Sequence, residues 1–154
     1  MDFTSYITGF VDGEGCFSVS FTKRSKLNVG IEVRPSFAVG QNKRSREILE
    51  RIARYFSCGS IRFFAKDQLF KYEVRNLTDL RKRIIPHFNQ YPLQTNKSKD
   101  FELFKNICEY MAQSKHLNPK FLRMIIHWSY QMNGSGKRKY TEAELLHILD
   151  KMKI

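Results

Sequence analysis

The sequence lacks any pairing of cysteines or histidines at the spacing of a disulfide framework or a zinc site. Its three cysteines, Cys16, Cys58 and Cys108, are far apart, and no two form a C-x-x-C motif. The four histidines are equally scattered, so a zinc finger or a local histidine-based nuclease motif has no support. We therefore expect reduced thiols in an intracellular, reducing compartment, which an organelle (chloroplast or mitochondrion) and a bacterial cytoplasm would both provide.

Long apolar runs, a signal peptide and an excess of acidic residues are also missing. No stretch approaches the roughly 18 apolar residues that a membrane span needs. Lysine and arginine number 27 against 15 acidic residues, which gives a net charge of +12. Such an excess favours nucleic acid or an anionic membrane surface as the partner. The charge is spread over strands and turns instead of one amphipathic helix, so we expect nucleic acid, no membrane partner and no small-molecule cofactor.

The hydrophobic periodicity predicts the same helix–strand–strand unit twice. Apolar residues alternate from Phe17 to Phe21 and again from Val29 to Val39, which is typical of half-buried strands, although Pro35 favours an edge, a bulge or an imperfect ladder. Helical spacing follows from Ile48 to Phe56, and a second hairpin turns near Asp67 and Gln68. A third helix begins around Thr78 and is expected to stop near Pro86. This order predicts an α+β fold with helices on one face of an antiparallel sheet.

The remainder of the chain is predicted to be helical. Asn118-Pro119 and the capping box Thr141-x-x-Glu144 each mark the start of a helix. The basic, glycine-rich stretch 133–139 between these helices predicts a flexible loop, too short to separate domains. A chain of 154 residues suits one domain, with a core of about 3–114 and a helical extension of about 115–154.

The stretch around which these elements are organised runs from Tyr6 to Phe17. Gly9 and Gly13 are four residues apart, so a helix here has one face without side chains, against which another backbone can pack closely. The run Asp12-Gly13-Glu14-Gly15 then ends the helix and leaves a carboxylate where the helix meets the first strand. A lone D-G-E-G run is more often an ordinary helix-ending turn with a solvated acid.

The nine residues from Ile7 to Gly15 resemble the signature of the LAGLIDADG homing endonucleases from end to end, with Thr8 as the one non-conservative departure. In that family two such helices pack together, and the last acid of each binds a divalent metal at the scissile phosphate. The resemblance implies the αββαββα fold of that family, with a saddle-shaped sheet that binds DNA. It assigns the metal to Glu14 and the Gly13 carbonyl, and the dimer interface to Ile7, Gly9, Phe10 and Gly13.

The resemblance implies two further active-site residues. Gln41 follows the second strand, where family members hold water near the cleavage site. The stretch from Leu93 to Phe101 resembles the family segment whose lysine stands near the scissile phosphate, and that lysine is Lys97 or, because the spacing is ambiguous, Lys99. Either is equally compatible with an ordinary lysine at a helix start. A basic residue near Ser45 is common in the family, and here Arg44 and Arg46 both qualify.

The strand residues that do not face the helices are mostly basic or hydroxylic. Arginines, short hydroxyls and a few acids suit base edges and phosphates in a major groove, although any single strand is as compatible with a solvated face. The predicted DNA-binding residues are Ser18, Ser20, Thr22, Lys23, Arg24, Lys26, Glu32, Arg34, Ser36, Arg62, Lys66, Lys71, Glu73 and Arg75.

Together these features predict a single-motif homing endonuclease encoded within an intron or intein. As a homodimer it would make a Mg²⁺-dependent staggered double-strand break in long, nearly palindromic double-stranded DNA. One acid per subunit is too few for a metal cage made by protein alone, so DNA phosphates must complete the coordination. The alternatives are an RNA maturase that assists splicing of its host intron and a non-catalytic DNA-binding regulator, neither of which needs Glu14.

Overall fold

The computed structural model describes residues 1–133 and 138–152. Residues 134–137 of the predicted loop 133–139 therefore lie outside the described part of the chain. The helices and strands are α1 (Phe3–Glu14), β1 (Gly15–Lys23), β2 (Ile31–Asn42), α2 (Arg46–Phe56), β3 (Ser60–Phe64), β4 (Leu69–Val74), α3 (Leu77–Asp79), α4 (Ile85–Gln90), α5 (Lys97–Ala112), α6 (Pro119–Tyr130) and α7 (Glu142–Lys151). This order confirms the predicted αββαββα fold with additional C-terminal helices. No helix within the described residues is long and apolar enough to cross a membrane.

The four strands form one sheet in the order β1-β2-β4-β3. Strand β4 runs antiparallel to both neighbours, with Phe37 opposite Val74 at one end of its ladder to β2. Strand β2 has a neighbour on each side, so the alternative of an edge strand at Pro35 is wrong. Pro35 lies two residues before the β2–β4 ladder begins, so its missing N–H falls outside that register, as expected for an imperfect ladder. In β1 the buried and accessible residues alternate strictly, which confirms the period-two pattern.

The described chain divides into two compact units, and the first comprises residues 1–17 and 36–98. Its core is aromatic. The Phe37 ring lies 5.2 Å from that of Phe17, 6.0 Å from that of Phe56 and 5.7 Å from that of Phe88, measured between centroids. These rings come from β1, β2, α2 and α4, so they pack the helices of this unit on one face of its strands. All four side chains are buried.

The second unit comprises residues 18–35 and 99–154. Phe21 of β1 stacks on Tyr130 of α6, with 6.4 Å between ring centroids. The Arg138 guanidinium lies over the same Tyr130 ring. It also donates hydrogen bonds to the carbonyls of Val19, Ser129 and Met132. A single half-buried arginine thus connects a strand of this unit to the end of a helix. Asn118 and the Thr141–Glu144 capping box begin α6 and α7, as the sequence predicts.

The prediction that the third helix stops near Pro86 is wrong. Helical structure continues to Gln90, because a π-helical turn from Leu80 to Ile84 widens the backbone just before the proline. The Ile85 N–H donates to the Leu80 carbonyl, five residues back. Proline lacks an N–H and collides with the carbonyl four residues earlier in a regular α-helix. The wider turn displaces the hydrogen-bond ladder there, and the chain keeps its helical direction.

A buried polar network joins α1 to α2 and α4. The Thr8 hydroxyl donates to the Tyr91 carbonyl over 2.9 Å and lies 3.1 Å from His87 Nε2. Since the single Thr8 proton is used by Tyr91, Nε2 carries the His87 proton, and Nδ1 accepts from the Tyr55 hydroxyl over 2.8 Å. Burial lowers the pKa of His87 to about 4, so the imidazole is neutral at pH 7. Thr8, the departure from the signature, is therefore a hydrogen-bonding residue that holds α1.

We expect His87 to make the protein less stable in mild acid. In the unfolded chain the His87 imidazole binds a proton near pH 6.5, whereas in the folded chain its pKa is about 4. The free energy of unfolding therefore falls as the pH drops from about 6.5 to about 4. The slope should approach about 1.4 kcal/mol per pH unit. Urea unfolding at several pH values should show it for the wild type and for His147→Gln, an exposed control. His87→Gln should lack this slope, and parallel profiles would contradict a neutral buried imidazole.

Candidate active site

The Glu14 carboxylate lies at the C-terminal end of α1, where the chain turns into β1. Asp2 caps the start of this helix by accepting from the Thr4 N–H, and the Gly15 N–H donates to the Val11 carbonyl at the end. A Cβ on Gly15 would lie 2.6 Å from a Val11 methyl, so the sharp exit from the helix requires glycine. Glu14 is exposed, and no described residue makes a hydrogen bond or ion pair with its carboxylate. The acid is thus free to bind a partner from outside the chain.

Glu14 lines an open cleft of about 500 Å³ together with Gln41 and Lys71. Cys16, Asn42, Leu69 and two small residues of β2 complete the lining, so the cleft runs from the end of α1 along the outward face of the sheet. Gln41 lies opposite Phe70 in the β2–β4 ladder. The predicted acid and the predicted water-holding amide thus share one cleft. Within the described residues, no group of three or more histidine, cysteine or acidic side chains is close enough to hold a metal ion.

Asp12, two residues before Glu14, anchors the segment that leads into α5. Its carboxylate accepts from the backbone N–H groups of Gln94 and Thr95 over 2.9 and 3.1 Å, and from the Thr95 hydroxyl over 2.8 Å. Desolvation raises the pKa of Asp12, but these hydrogen bonds and the Lys97 charge outweigh it, so the net shift is downward. The Asp12 carboxylate is therefore already bound by groups of the protein itself.

The same contact brings Lys97 to the end of α1. Its ammonium donates to the Val11 carbonyl over 2.8 Å and to the Asp12 carbonyl over 3.1 Å. A cation at a helix C-terminus also interacts favourably with the helix dipole. Lys99 makes no side-chain contact of this kind among the described residues. The geometry accordingly favours Lys97 over Lys99 as the lysine beside the acidic turn.

The two arginines near Ser45 have different surroundings. Arg46 forms an ion pair with Glu50 over 2.9 Å, and its guanidinium lies 4.7 Å from the centre of the Phe70 ring. The Arg44 side chain is exposed and forms no ion pair with the described residues; only its backbone N–H is bound, to Asn42. Of the two, Arg44 is the one whose side chain has no ion-pair partner among the described residues.

Each of the predicted DNA-binding positions is accessible. In the second unit Ser18, Ser20, Thr22, Lys23, Arg24, Lys26, Glu32 and Arg34 are exposed or half-buried. In the first unit the same holds for Ser36, Arg62, Lys66, Lys71, Glu73 and Arg75. In β1 and β2 the intervening strand residues are largely buried, so the two faces of these strands are separated as the sequence predicts. In β3 the predicted alternation is wrong, because none of its residues is buried and Phe63 is 46% exposed.

The glycine face of α1 is open within this chain. A Cβ built on Gly9 or Gly13 would meet nothing within 4 Å. Tyr6 stacks on Phe10 beside these glycines, with 5.9 Å between ring centroids, and is 37% exposed. Ile7, in contrast, is 0% exposed because it points into the core of its own chain. The prediction of Ile7 as an interface residue is therefore wrong, and Tyr6 takes its place on the open face.

Comparison with known proteins agrees with this geometry. The family model described as LAGLIDADG endonuclease matches residues 7–108, from the signature helix to the middle of α5. The chain belongs to the LAGLIDADG endonuclease family.

Related proteins carry names that fit this family. A probable intron-encoded endonuclease 2 of Neurospora crassa is 35% identical over 140 residues, which cover 90% of this chain and 31% of the relative. The homing endonuclease I-ApeII of Aeropyrum pernix is 30% identical over 152 residues, 94% of this chain and 88% of the relative. A solved archaeal intron-encoded homing endonuclease, I-Vdi141I in complex with DNA, superposes with a TM-score of 0.88 at 30% identity, covering 98% of this chain and 97% of that one. The chain spans only 25% to 52% of the length of the first curated relatives.

Several residues in and around this LAGLIDADG site are not predicted from the sequence. Asn42 and Cys16 line the cleft, Tyr6 lies on the open face, and Thr8 binds His87. The strict alternation of β1 offered a signal for Cys16, which faces outward with Ser18. Nothing local in the sequence indicates the partner of Thr8, which lies 79 residues away.

We expect Asp12→Asn to destabilise the protein. The Gln94 N–H donates to Oδ2 and the Thr95 N–H to Oδ1, so an amide, which has oxygen at only one of these two positions, leaves one N–H facing an NH₂ group. The free energy of unfolding in urea at pH 7 should fall by about 1–3 kcal/mol. Asp67→Asn, the same change at an exposed hairpin turn, serves as the control and should have almost no effect. Equal stability of the two variants would show that Asp12 does not anchor the segment before α5.

Proposed function

We propose that this chain is a site-specific homing endonuclease, encoded within an intron, that makes a metal-dependent staggered double-strand break in long, nearly palindromic DNA. The observation that carries the proposal is the unpaired Glu14 carboxylate, which shares a cleft with Gln41 and Lys71 at the end of a signature helix. The LAGLIDADG match and relatives named as endonucleases support it. Reduced thiols fit an intracellular, reducing compartment, an organelle or a bacterial cytoplasm.

The residues present fit a divalent cation that is shared with the substrate. Glu14 and the Gly13 carbonyl offer oxygen ligands, as Mg²⁺ prefers, while phosphate oxygens of bound DNA complete its coordination. When bound, the cation supplies Lewis-acid stabilisation and lowers the pKa of a coordinated water. Gln41 orients water in the cleft by hydrogen bonding. Lys97, fixed at the α1 carbonyls, contributes positive charge close to the acidic turn.

Double-stranded DNA is the proposed substrate because the outward strand positions are basic or hydroxylic in both units. The fourteen predicted positions are all exposed or half-buried, so their basic and hydroxylic side chains are able to contact a base edge or a phosphate. The net charge of +12 favours association with any polyanion, whereas the ordered strand positions favour recognition of particular bases.

A homodimer follows from the single acid. One Glu14 serves one strand, so a double-strand break needs two acids held together. Gly9 and Gly13, with Tyr6 and Phe10 beside them, provide an exposed helical face without close contacts in its own chain. A second copy of this face packs against it isologously, and the two helices then end side by side with their acids.

Glu14→Gln tests the site assignment. The amide keeps the shape and loses the charge, so cleavage of the intron-free allele in Mg²⁺ should fall by orders of magnitude. DNA binding should persist or improve, since one charge that repels phosphate is removed. Glu47→Gln, the same change on an exposed position of α2, should cut like the wild type. Equal cleavage by Glu14→Gln and wild type would remove Glu14 from the site, and splicing assistance without any cleavage would favour a maturase.

Gly9→Leu tests the assembly. The new side chain forces the two α1 backbones apart, at a cost of at least the ~1–3 kcal/mol of an overpacked core. Sedimentation should show monomer or aggregate, and cleavage should be lost although Glu14 is intact. Ala143→Leu adds the same bulk to an exposed position of α7 and should leave a dimer. A Gly9→Leu protein that remains dimeric and cuts both strands would mean that the subunits meet elsewhere.

A further inference from the structure

Each unit carries one glutamate on its outward strand face, between two arginines. In the first unit Glu73 of β4 lies 2.9 Å from Arg75 and 3.6 Å from Arg62. In the second unit Glu32 of β2 lies 3.2 Å from Arg24 and 3.3 Å from Arg34. In both cases a single carboxylate oxygen receives both contacts. The same arrangement thus occurs in both units, each time on the second strand of the duplicated motif.

The arginines, not the glutamates, form the outer layer of these groups. The Glu73 side chain is 10% exposed, whereas those of Arg62 and Arg75 are 55% and 62% exposed. The Cα partners of Glu73 across the sheet, Ala38 and Ser60, are small and leave room for the guanidinium groups above the strand. A base that approaches this face therefore meets an arginine before it can meet the carboxylate. Glu73 is poorly placed to accept a hydrogen bond from a cytosine directly.

The contacts also restrict the orientations that the arginines can adopt. Each arginine reaches its glutamate through one terminal nitrogen, which leaves further N–H donors of the planar guanidinium for a second partner. Arg62 is held on another side as well, with its guanidinium 5.3 Å from the centre of the Phe64 ring. A held guanidinium loses less conformational entropy on binding than a free one. The acid also repels phosphate, which penalises binding in the wrong register.

We propose that Glu32 and Glu73 are positioning residues for sequence recognition, which hold two pairs of arginines so that these read guanines in the major groove. The partner chemistry is the O6 and N7 acceptor pair of guanine, which a guanidinium contacts bidentately. This proposal rests on the proposed DNA substrate but not on cleavage. It reassigns the two glutamates from direct base contacts to contacts made through arginine.

The test is binding selection from a randomised duplex library in the presence of EDTA, which needs no cleavage. The wild type should select guanine at defined positions. Glu73→Gln should lower the preference for guanine at some of these positions by about tenfold, within the range of one bidentate contact. Binding to unselected duplex should tighten. Glu102→Gln, which removes the same charge and an exposed ion pair with Lys105 on α5, should change affinity for all sequences alike.

A second measurement avoids mutation. Replacing a selected guanine by 7-deazaguanine removes the N7 acceptor and keeps the base pair and the phosphates. Wild-type affinity should fall several-fold at the guanines that Glu73→Gln no longer selects, and Arg75→Lys should reproduce the loss of preference, because lysine cannot contact guanine bidentately.

Three outcomes would overturn the proposal. One is a wild type with no guanine preference, another is insensitivity to 7-deazaguanine at every position, and the third is an identical change in Glu73→Gln and Glu102→Gln. Each of these three outcomes is compatible with cleavage of DNA by this protein, so none of them would contradict the proposed endonuclease function. A wild type that binds no duplex DNA would instead overturn both proposals.

Discussion

The arrangement of the candidate site depends on one cluster of polar contacts at the end of α1. The Asp12 carboxylate binds the backbone before α5, and the Lys97 ammonium from that same segment binds the last carbonyls of the helix. The contacts run in both directions, so neither partner can shift without breaking the other's bonds. A helix end that would otherwise fray is thereby fixed, with Glu14 next to it free of any described partner.

Fixing the helix end is compatible with an open helix face because the two tasks use different sides of α1. Ile7 and Val11 are buried, Thr8 is bound to His87 and Tyr91, and Gly9 and Gly13 are exposed. The helix is therefore held by its own chain along one side only. This division allows a partner helix to approach closely without any rearrangement of the core.

Much of the fold could be predicted from the sequence because period-two and helical patterns record which side of each element is buried. The alternation of β1, the capping box at Thr141 and the duplicated order of helices and strands are local signals, and each was confirmed. The course of the chain through Pro86 was not predictable, since the π-helical turn that accommodates it has no distinct sequence pattern. Ile7 was misplaced because the signature alone does not say which side of the helix meets the core.

The site itself could be predicted only as far as the resemblance reaches. The resemblance identified Glu14, Gln41 and Lys97 as candidates. Glu14 and Gln41 line one cleft, and Lys97 contacts the end of the helix that carries Glu14. The contacts that hold them, such as Asp12 with Thr95, link residues 83 positions apart in sequence. Such pairs depend on the fold as a whole, and a single sequence gives no signal for them.

The open face of α1 bears on how the symmetry of the proposed DNA target could change as the protein sequence diverges. In the proposed homodimer two identical chains would present identical strand residues to both half-sites, so the proposed target is nearly palindromic. A tether that joined two copies end to end would raise the effective concentration of one face near the other to the millimolar range. Each half of such a tethered protein could then change the strand residues that contact bases while both halves kept the glycines of α1. The glycines of α1 would hold the two Glu14 side chains together in either arrangement. The symmetry of the DNA target could therefore change while the proposed site of cleavage stayed the same.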